Sequence, residues 1–383
     1  MGTRRRSPAS ERPPANVVLA STAMTRGGVW RHLQDLAHGL RDAGFSVTIG
    51  LLPAAEALRQ ATTEAGLPWR PLPVSIGPTT DVWHVHLHDT YDRVALAALA
   101  ARRPFGPAII TEHLPRSHAS DERLEPQHPR HPYAAAAKTA FKRFQFGLVD
   151  SVIAVGASSA RFIEERYHPR PGLVTVVRNG IDIPPQPPSP PALGRTMRVV
   201  SVGSLGRQKG HDVLIEALFM ARMSWNVTIV GTGSQLDRLR ARAAGLPPDR
   251  LQCTGWVDDP EPLVRAADVV CMPSRWESFP YAALESAALG RPLVASQVDG
   301  LDEIVVHGET GLLVAPDDPG QLAAALDRLA GDAHLVAEYG RRAQERVARL
   351  YTRSRMVSGV VAEYERAMGR APAASGLSRR DGA

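Results

Sequence analysis

Two glutamates are separated by seven intervening residues in the stretch 273–285, which reads Pro-Ser-Arg-Trp-Glu-Ser-Phe-Pro-Tyr-Ala-Ala-Leu-Glu. Pro280 suits the first position of a helix, and the glycine and proline at 290 and 292 suit its end. Glu277 would then lie in the loop before the helix and Glu285 inside it. Backbone N–H groups at a helix N-terminus bind anions. Carboxylates would repel a phosphate there, so we expect them to accept hydrogen bonds from hydroxyl groups on either side of it. A sugar nucleotide has that layout, with a hexose, a pyrophosphate and a ribose.

The sequence around these glutamates resembles the Glu-x7-Glu region of family-4 retaining glycosyltransferases of the GT-B fold (glycosyl transferases group 1). Pro-Ser precedes the pair, and Ala-Leu-Gly-Arg-Pro-Leu-Val-Ala-Ser follows it at 288–296. An isolated pair at this spacing is better explained by an exposed helix with solvated acids, whereas the whole block favours the family. The resemblance implies that Glu277 binds sugar hydroxyls and Glu285 ribose hydroxyls, with Phe279 and Pro280 also in the donor site.

A second block, Ser-Val-Gly-Ser-Leu-Gly-Arg-Gln-Lys-Gly-His-Asp at 201–212, follows a predicted strand and precedes a predicted helix. It resembles the Gly-Arg-Leu…Lys-Gly element of the family, whose arginine and lysine contact the donor pyrophosphate. Lys209 matches the lysine, but Ser204 stands at the arginine position. Arg207, in the same loop, is the candidate substitute. Cations here would stabilise the charge on a departing nucleoside diphosphate. A solvated basic loop is the less favoured alternative.

Two shorter blocks also match the family. Gly231 and Gly233 belong to Val-Gly-Thr-Gly, and the resemblance implies that they let the backbone approach the nucleotide. Trp256 and Val257 follow Gly255 in a loop that would lie near the base. A lone Gly-x-Gly usually marks only a tight turn, so its order between the stronger blocks carries the assignment.

The N-terminal half resembles the family less specifically. Gly27 and Gly28 open a predicted helix, and by resemblance Gly28 lies near the donor phosphates and the acceptor. His113 ends Ile-Ile-Thr-Glu-His and matches a histidine close to the transferred sugar, although a lone histidine is more often structural. The predicted catalytic residues are therefore His113, Lys209 and Glu277.

Alternating histidines raise the question of a metal. His84, His86 and His88 share one face of a predicted strand, and with Asp89 they form a candidate zinc site. The interpretation that this strand end lines an acceptor cleft is favoured. Two aspartate pairs, 258–259 and 317–318, have proline nearby and a loop context. Since members of the family usually neutralise pyrophosphate with basic groups and helix N-termini, we predict no cofactor and no obligatory metal.

Strands that alternate with helices in both halves of the chain predict the fold class. Apolar runs predict strands at 16–20, 44–50, 81–86, 108–113, 151–155, 174–177, 197–202, 226–230, 251–254, 269–272 and 292–296. Alternation of this kind implies parallel sheets covered on both faces. The resulting prediction is α/β with two Rossmann-like domains that face an interdomain cleft, as the GT-B resemblance also implies.

The predicted boundaries follow from composition. The acceptor domain would span 15–183, a proline-rich linker 184–195 and the donor domain 196–350. A last helix at 351–368 would cross back to the N-terminal domain, as in relatives. The tails 1–14 and 369–383 read as disordered.

Composition narrows the partners and the compartment. The 383 residues carry a net charge of +6, which favours acidic partners such as phosphorylated small molecules or an anionic membrane. No nucleic-acid-binding pattern is present in the sequence, so nucleic acid is not expected. Cys253 and Cys271 read as buried, reduced thiols, which is consistent with the cytoplasm. The start of the sequence has neither a secretory signal nor a membrane anchor pattern.

Bases and aromatic residues alternate with roughly helical spacing at 138–146. Many relatives bind anionic membranes through the N-terminal domain, so this segment is a candidate for peripheral contact at the inner membrane face. An ordinary core helix with basic solvent-facing positions is somewhat favoured.

Together these observations predict a retaining glycosyltransferase that moves a hexose-type sugar from a nucleoside diphosphate sugar to an acceptor. The acceptor is a lipid-linked glycan, a polysaccharide or a small molecule, and polysaccharide biosynthesis is one setting. Two alternatives stay open. A GT-B sugar-nucleotide epimerase shares the fold, and a silent sugar-nucleotide-binding protein is suggested by Ser204.

Overall fold

The computed structural model describes residues 15–72, 80–87, 92–102, 106–113, 132–185 and 196–369. The predicted tail 1–14, the linker residues 186–195, His88, Asp89 and residues 370–383 lie outside the described residues.

The N-terminal half contains a seven-stranded sheet in which every paired strand is parallel, in the order β3-β2-β1-β4-β5-β6-β7. Its apolar runs are buried on both faces because helices cover the sheet on each side. In chain order the elements are β1 Asn16–Ser21, α1 Gly28–Asp42, β2 Ser46–Leu51, α2 Glu56–Glu64, β3 Trp69–Pro71, β4 Val82–Leu87, α3 Arg93–Arg102, β5 Ala108–Glu112, α4 Pro132–Gly147, β6 Ser151–Ala154, α5 Ala157–Tyr167 and β7 Val174–Val176.

The C-terminal half repeats this architecture with six parallel strands in the order β10-β9-β8-β11-β12-β13. Its elements are β8 Met197–Val202, α6 His211–Met220, β9 Trp225–Val230, α7 Leu236–Arg242, β10 Leu251–Gly255, α8 Glu261–Ala266, β11 Val269–Met272, α9 Tyr281–Ala288, β12 Leu293–Ser296, α10 Leu301–Ile304, β13 Gly311–Val314, α11 Pro319–Ala330 and α12 Ala333–Leu350.

The strand order changes direction at one point in each sheet. In the first sheet β1 lies between β2 and β4, and in the second β8 lies between β9 and β11. The loops that leave the carboxyl ends of such strands diverge and open a crevice, which is where ligands bind in open α/β sheets. The loops after β1, β4, β8 and β11 are therefore the places to look for a site.

The last helix, α13 Arg353–Ala367, packs on the N-terminal domain. Four of its buried side chains join the hydrophobic core built around β1 and α1: Met356, Val357, Val360 and Tyr364. The crossing is fixed by backbone hydrogen bonds, in which the Ile181 N–H donates to the Tyr351 carbonyl (3.0 Å) and the Arg353 N–H to the Ile181 carbonyl (2.9 Å). The two domains are thus joined twice by the chain.

Two local expectations differ from the structure. Pro280 is the N-cap of α9, with an extended ψ of 131°, and Tyr281 is the first helical residue. Cys253 is only half-buried because β10 lies at the sheet edge, whereas Cys271 in the central strand β11 is fully buried. Local composition predicted neither result, because the position of Cys253 in the sheet sets its burial and the turn before α9 sets where that helix starts.

Helix α4 has an inward-facing base, which the sequence did not predict. Lys142 is fully buried and pairs with the buried carboxylate of Glu112, and it also donates to Gln145 (3.0 Å). Burial raises the pKa of Glu112, while Lys142 opposes that change. Arg143 and Phe144 are exposed. The expectation of basic positions only on the solvent face is therefore wrong for Lys142, because a buried carboxylate gives it a partner.

Candidate active site

Glu277 lies at the centre of a small polar cluster in the loop between β11 and α9. Its Oε1 accepts hydrogen bonds from Lys209 Nζ (2.6 Å) and from Ser274 Oγ (2.8 Å). Glu277 is buried and Lys209 is mostly buried. The structure thus brings together two predicted catalytic residues that are 68 positions apart.

Close backbone approaches between loops position this cluster. A Cβ on Gly231 would lie 1.9 Å from the Gly203 carbonyl oxygen, and a Cβ on Gly210 would lie 1.9 Å from that of Pro273. Both glycines have positive φ, +145° and +64°, so other residues are disfavoured there on two grounds. The loops after β8, β9 and β11 therefore pack backbone against backbone. Gly233 belongs to the same contact, because a Cβ on it would lie 2.6 Å from the Leu205 carbonyl oxygen.

Arg275 ties the lysine-bearing loop to the helix that follows it. Its guanidinium donates to both carboxylate oxygens of Asp212 (3.0 and 2.9 Å), to the Arg207 carbonyl (2.6 Å) and to Asp317 (2.7 Å). Its backbone N–H donates to the Gln208 carbonyl (2.7 Å). A bidentate guanidinium–carboxylate pair fixes geometry as well as charge. Arg275 therefore holds the residues on both sides of position 208.

Ser204 and Arg207 are both exposed. Arg207 lines a concavity beside α6 and α7 together with Gln235 and Arg238, while Lys209 contacts Glu277. The role of Arg207 as a replacement for the arginine missing at position 204 stays a prediction.

Glu285 lies in the cleft between the domains, where its side chain is 36% exposed. Its Oε1 is 3.7 Å from Arg31 Nε, and Arg31 also donates to Asp35 (3.0 Å). Burial raises the pKa of Glu285 to about 7. Arg31 opposes this increase only in part, and Asp35 adds to it. Arg31 comes from α1, so residues of both domains meet at this carboxylate.

The loop after β10 lies at one end of the same cleft. The Trp256 ring is 54% exposed, and its Nε1 donates to Asp258 Oδ1 (3.0 Å). Asp258 is 4.0 Å from Arg26 Nη1 of the N-terminal domain. Val257 packs partly buried against the C-terminal core. The exposed Trp256 ring is available to a planar ligand, as the prediction for a base-binding loop requires.

Phe279 and Gly28 occupy opposite walls. The Phe279 ring is buried in a T-shaped contact with Tyr351 (5.3 Å between centroids), and its carbonyl accepts from Asn179 Nδ2 (2.8 Å). Its side chain therefore belongs to the core. Gly28 is the first residue of α1, and a Cβ placed on it meets nothing within 4 Å, so this helix start faces open space.

His113 belongs to a buried group of histidines on the N-terminal wall. Its Nε2 is 3.3 Å from His86 Nδ1, and its ring centroid is 4.7 Å from that of His32. His32 Nδ1 contacts the hydroxyl of Tyr281, the first residue of α9, at 3.3 Å. Burial lowers the pKa of His32 to about 4, although its hydrogen bond with Asn179 opposes this. Burial also lowers the pKa of His86 well below its usual value.

Several residues of this region were not identified from the sequence: Arg31, His32, Asn179, Ser274, Arg275 and Tyr281. His32 lies one helical turn after Gly28 and so shares its helix face, which is a usable signal. Asn179 reaches the site only because the chain turns at the domain crossing. No local pattern indicates that.

The four aspartates considered as metal ligands have structural roles. Asp258 and Asp259 accept hydrogen bonds from Trp256 and from the Glu261 N–H. Asp317 pairs with Arg275, and Asp318 caps α11 by accepting from the Gln321 N–H. These contacts agree with their assignment to loops.

Among the described residues, no helix has both the length and the apolar character needed to span a membrane.

Two parallel α/β domains that face each other across a cleft, with polar loops at the carboxyl ends of their central strands, define the GT-B class. The predicted fold is confirmed by its likeness to solved structures. HepE of Anabaena, solved in complex with UDP, matches with a TM-score of 0.76 and 20% identity, over 90% of this chain and 98% of that one.

Sequence comparison identifies the family. The model described as glycosyl transferases group 1 matches residues 196–332, and that described as glycosyltransferase family 4 matches residues 26–183. A phosphatidyl-myo-inositol mannosyltransferase of Mycolicibacterium smegmatis is 30% identical over 379 residues, covering 90% of this chain and 91% of that protein. The chain belongs to the family-4, group-1 glycosyltransferases, as predicted.

A glycogen synthase of Mycobacterium tuberculosis is 35% identical over 206 residues, which are 52% of this chain and 50% of that protein. The chain thus matches about half the length of this relative.

Proposed function

We propose that the protein is a retaining glycosyltransferase that transfers a hexose-type sugar from a nucleoside diphosphate sugar to an acceptor. The observation that carries the proposal is the contact of Lys209 with Glu277 beside the start of α9, the helix that also carries Glu285. These groups supply one cation for a diphosphate and two carboxylates for hydroxyl groups.

The donor would lie along the C-terminal domain. Lys209 would exchange part of its contact with Glu277 for the pyrophosphate, while Glu277, held by Ser274, would accept from sugar hydroxyls. Glu285 would accept from the ribose hydroxyls, and Trp256 would stack on the base. A fixed cation beside the leaving diphosphate stabilises the charge that develops there. The diphosphate needs no metal in this scheme, because Lys209 and the backbone N–H groups at the start of α9 neutralise it.

The acceptor would enter from the N-terminal domain between Gly28 and His113. Attack on the same face of the sugar as the departing diphosphate, with that phosphate assisting, is the mechanism we propose. A lipid-linked glycan, a polysaccharide or a small molecule would fit this side. The name of the M. smegmatis relative supports a lipid as acceptor.

A cytoplasmic enzyme in brief contact with the inner membrane face fits such an acceptor. The net charge of +6 and the exposed Arg143 and Phe144 on α4 support this part of the proposal. Co-sedimentation with anionic vesicles, lost when Phe144 is changed to Ser, would support it. Equal binding by the variant would contradict it.

A silent nucleotide-sugar-binding protein is the second candidate, because Ser204 leaves Lys209 without the arginine that the family pattern has. It would bind donor without releasing sugar. An epimerase would convert the donor with no acceptor present. Product analysis with and without an acceptor distinguishes these three activities.

The first experiment measures the melting temperature against a panel of UDP-, GDP-, ADP- and TDP-sugars. A ligand that binds only the folded protein raises the melting temperature by mass action, by roughly 3 °C or more at a hundredfold excess over Kd. We expect one nucleotide to produce this shift and Glu285→Ala to lose it. The matched control is Glu261→Ala, which removes another acid of the same cleft that pairs with Arg265 instead.

Two results would overturn the donor assignment: no shift with any nucleotide, or an unchanged shift in Glu285→Ala. A normal shift without sugar transfer to any acceptor would support the silent-binding alternative.

A further inference from the structure

Three histidines from three elements converge on the N-terminal wall of the cleft: His32 of α1, His86 of β4 and His113 directly after β5. One ring nitrogen of each lies within 4.8 Å of those of the other two. His32 and His86 are 1% and 0% exposed, and His113 is 7% exposed. All three histidines are thus buried, and His113 is the most exposed of them.

The hydrogen bonds of Asn179 fix the proton of His32. Asn179 Nδ2 donates to the Phe279 carbonyl (2.8 Å), so its amide oxygen faces His32 Nδ1 at 3.0 Å. The opposite orientation of the amide would bring two oxygens together. Since an amide oxygen only accepts, His32 carries its proton on Nδ1, and its Nε2 has a lone pair.

That Nε2 is buried and has no hydrogen-bond partner among the described residues, and the same is true of His86 Nε2. An unsatisfied buried polar atom costs about 1–3 kcal/mol, and in native structures such atoms usually mark a water molecule or an ion. The His84 ring lies 4.1 Å from that of His86 and is tilted by 37°, but it differs because Tyr364 and Thr111 contact both of its nitrogens. Of His32, His84 and His86, the two that have a nitrogen without a hydrogen-bond partner in the described part of the chain are therefore His32 and His86.

The spacing of the cluster is compatible with a metal ion, because one nitrogen of each histidine lies within 4.8 Å of the other two. Nitrogens bound to one tetrahedral Zn²⁺ at about 2.0–2.1 Å lie about 3.3–3.4 Å apart. The separation between His86 Nδ1 and His113 Nε2 is 3.3 Å, so these two atoms would bind the ion together with His32 Nε2, and His86 would carry its proton on Nε2. A histidine ligand also usually donates its other N–H to an oxygen that fixes its orientation, which is what His32 does with Asn179.

We propose that His32, His86 and His113 form a three-histidine site for a tetrahedral transition-metal ion of the Zn²⁺ class, whose fourth position faces the cleft. The ion is not needed for sugar transfer. Because it would engage His113, its binding would withdraw that histidine from the bound sugar. Occupancy would therefore inhibit transfer, a consequence that rests on the proposed function, whereas metal binding itself does not.

The test uses full-length protein without a histidine tag, freed of metal with a chelator and titrated with Co²⁺. We expect one equivalent to bind, with the strong visible absorption of tetrahedral cobalt, and Zn²⁺ to displace it. His32→Gln and His86→Gln should each weaken binding at least 100-fold. The control is His211→Gln, a buried histidine of the C-terminal domain, which should bind Co²⁺ normally.

Absence of the tetrahedral band in the wild type, or the same band in His32→Gln and His86→Gln, would overturn the proposal. Circular dichroism of each variant tests whether it is folded. If the variants do not fold, X-ray absorption of the zinc-loaded wild type identifies the ligands of the ion. Three nitrogen ligands at about 2.0–2.1 Å would support the site, whereas sulfur ligands at about 2.3 Å would assign the ion to a cysteine and overturn it.

Activity measurements give a separate result. If Zn²⁺ binds but the protein transfers no sugar, the metal site stands and the proposed function fails. If transfer occurs and one equivalent of Zn²⁺ leaves it unchanged, the inhibitory role is wrong.

Discussion

Glu285 is the residue whose environment makes the clearest prediction about pH. Burial raises its pKa to about 7, so this carboxyl changes charge within the working range of an enzyme. In the proposed role, the ionised form would accept hydrogen bonds from two ribose hydroxyls, whereas the protonated form would donate one of its own.

We therefore expect donor affinity to increase as the pH rises from about 6 to about 8, by up to tenfold. Isothermal titration calorimetry with the nucleoside diphosphate measures this affinity at each pH. Glu285→Gln is the matched variant, because it keeps the shape and removes the titration. Its affinity should be low and independent of pH. A wild-type affinity that does not vary across this range would contradict the assignment of Glu285 to ribose.

The same pKa has a consequence for stability. The folded protein holds the Glu285 proton more tightly than the unfolded chain, whose carboxyl has its usual pKa near 4.5. Stability contributed by the protonated form is complete below that value and is lost as the pH rises to about 7. Glu285→Gln should therefore melt higher relative to wild type at about pH 8 than at about pH 5.

At the scale of elements, the lysine-bearing loop depends on Arg275. Lys209 can meet a diphosphate only if the 3₁₀ turn Arg207–Lys209 keeps its place, and Arg275 holds this turn through the Arg207 carbonyl and Asp212. Lysine has no fork of donors, so Arg275→Lys is not a conservative change here.

We expect Arg275→Lys to weaken donor binding about tenfold and to reduce stability by roughly 1–2 kcal/mol. Calorimetry and thermal melting measure the two effects. Arg242→Lys is the control, because Arg242 pairs with Glu216 (2.9 Å) and lies 3.5 Å from Asp212 but has no contact with the turn in the described structure. Equal effects of the two substitutions would show that charge near Asp212, not the turn, is what matters.

At the scale of the whole molecule, α13 makes the N-terminal domain depend on the end of the chain. Tyr364 is fully buried, and its hydroxyl lies 2.8 Å from His84 Nδ1, across 280 positions of sequence. Tyr364→Ala should destabilise the N-terminal domain by about 3–5 kcal/mol, and Tyr364→Phe by about 1–3 kcal/mol, since the latter loses only the hydrogen bond.

Hydrogen exchange of the amides in β1 and β4 measures this effect directly. The exposed Ser358→Ala on the same helix is the control and should leave exchange unchanged. Faster exchange confined to α13 itself, with β1 and β4 unaffected, would show that the helix docks without supporting the core.

The family, the fold class and the alternation of strands and helices could be predicted from the sequence, because these depend on local patterns. Short stretches of sequence suffice to recognise apolar runs of four to six residues, the glycines of turns and the spacing from Glu277 to Glu285. The strands β3 and β13 were not predicted as strands, since each is only three or four residues long at a sheet edge.

The contacts between side chains that are distant in sequence could be found only in the folded protein. The pairing of Lys209 with Glu277, the burial of Lys142 against Glu112 and the convergence of His32, His86 and His113 join elements far apart in the chain. Asn179 acts on His32 only because the chain crosses between the domains at that point. The physical reason is that burial and hydrogen bonding depend on the neighbours that packing supplies, and sequence spacing constrains those only within an element.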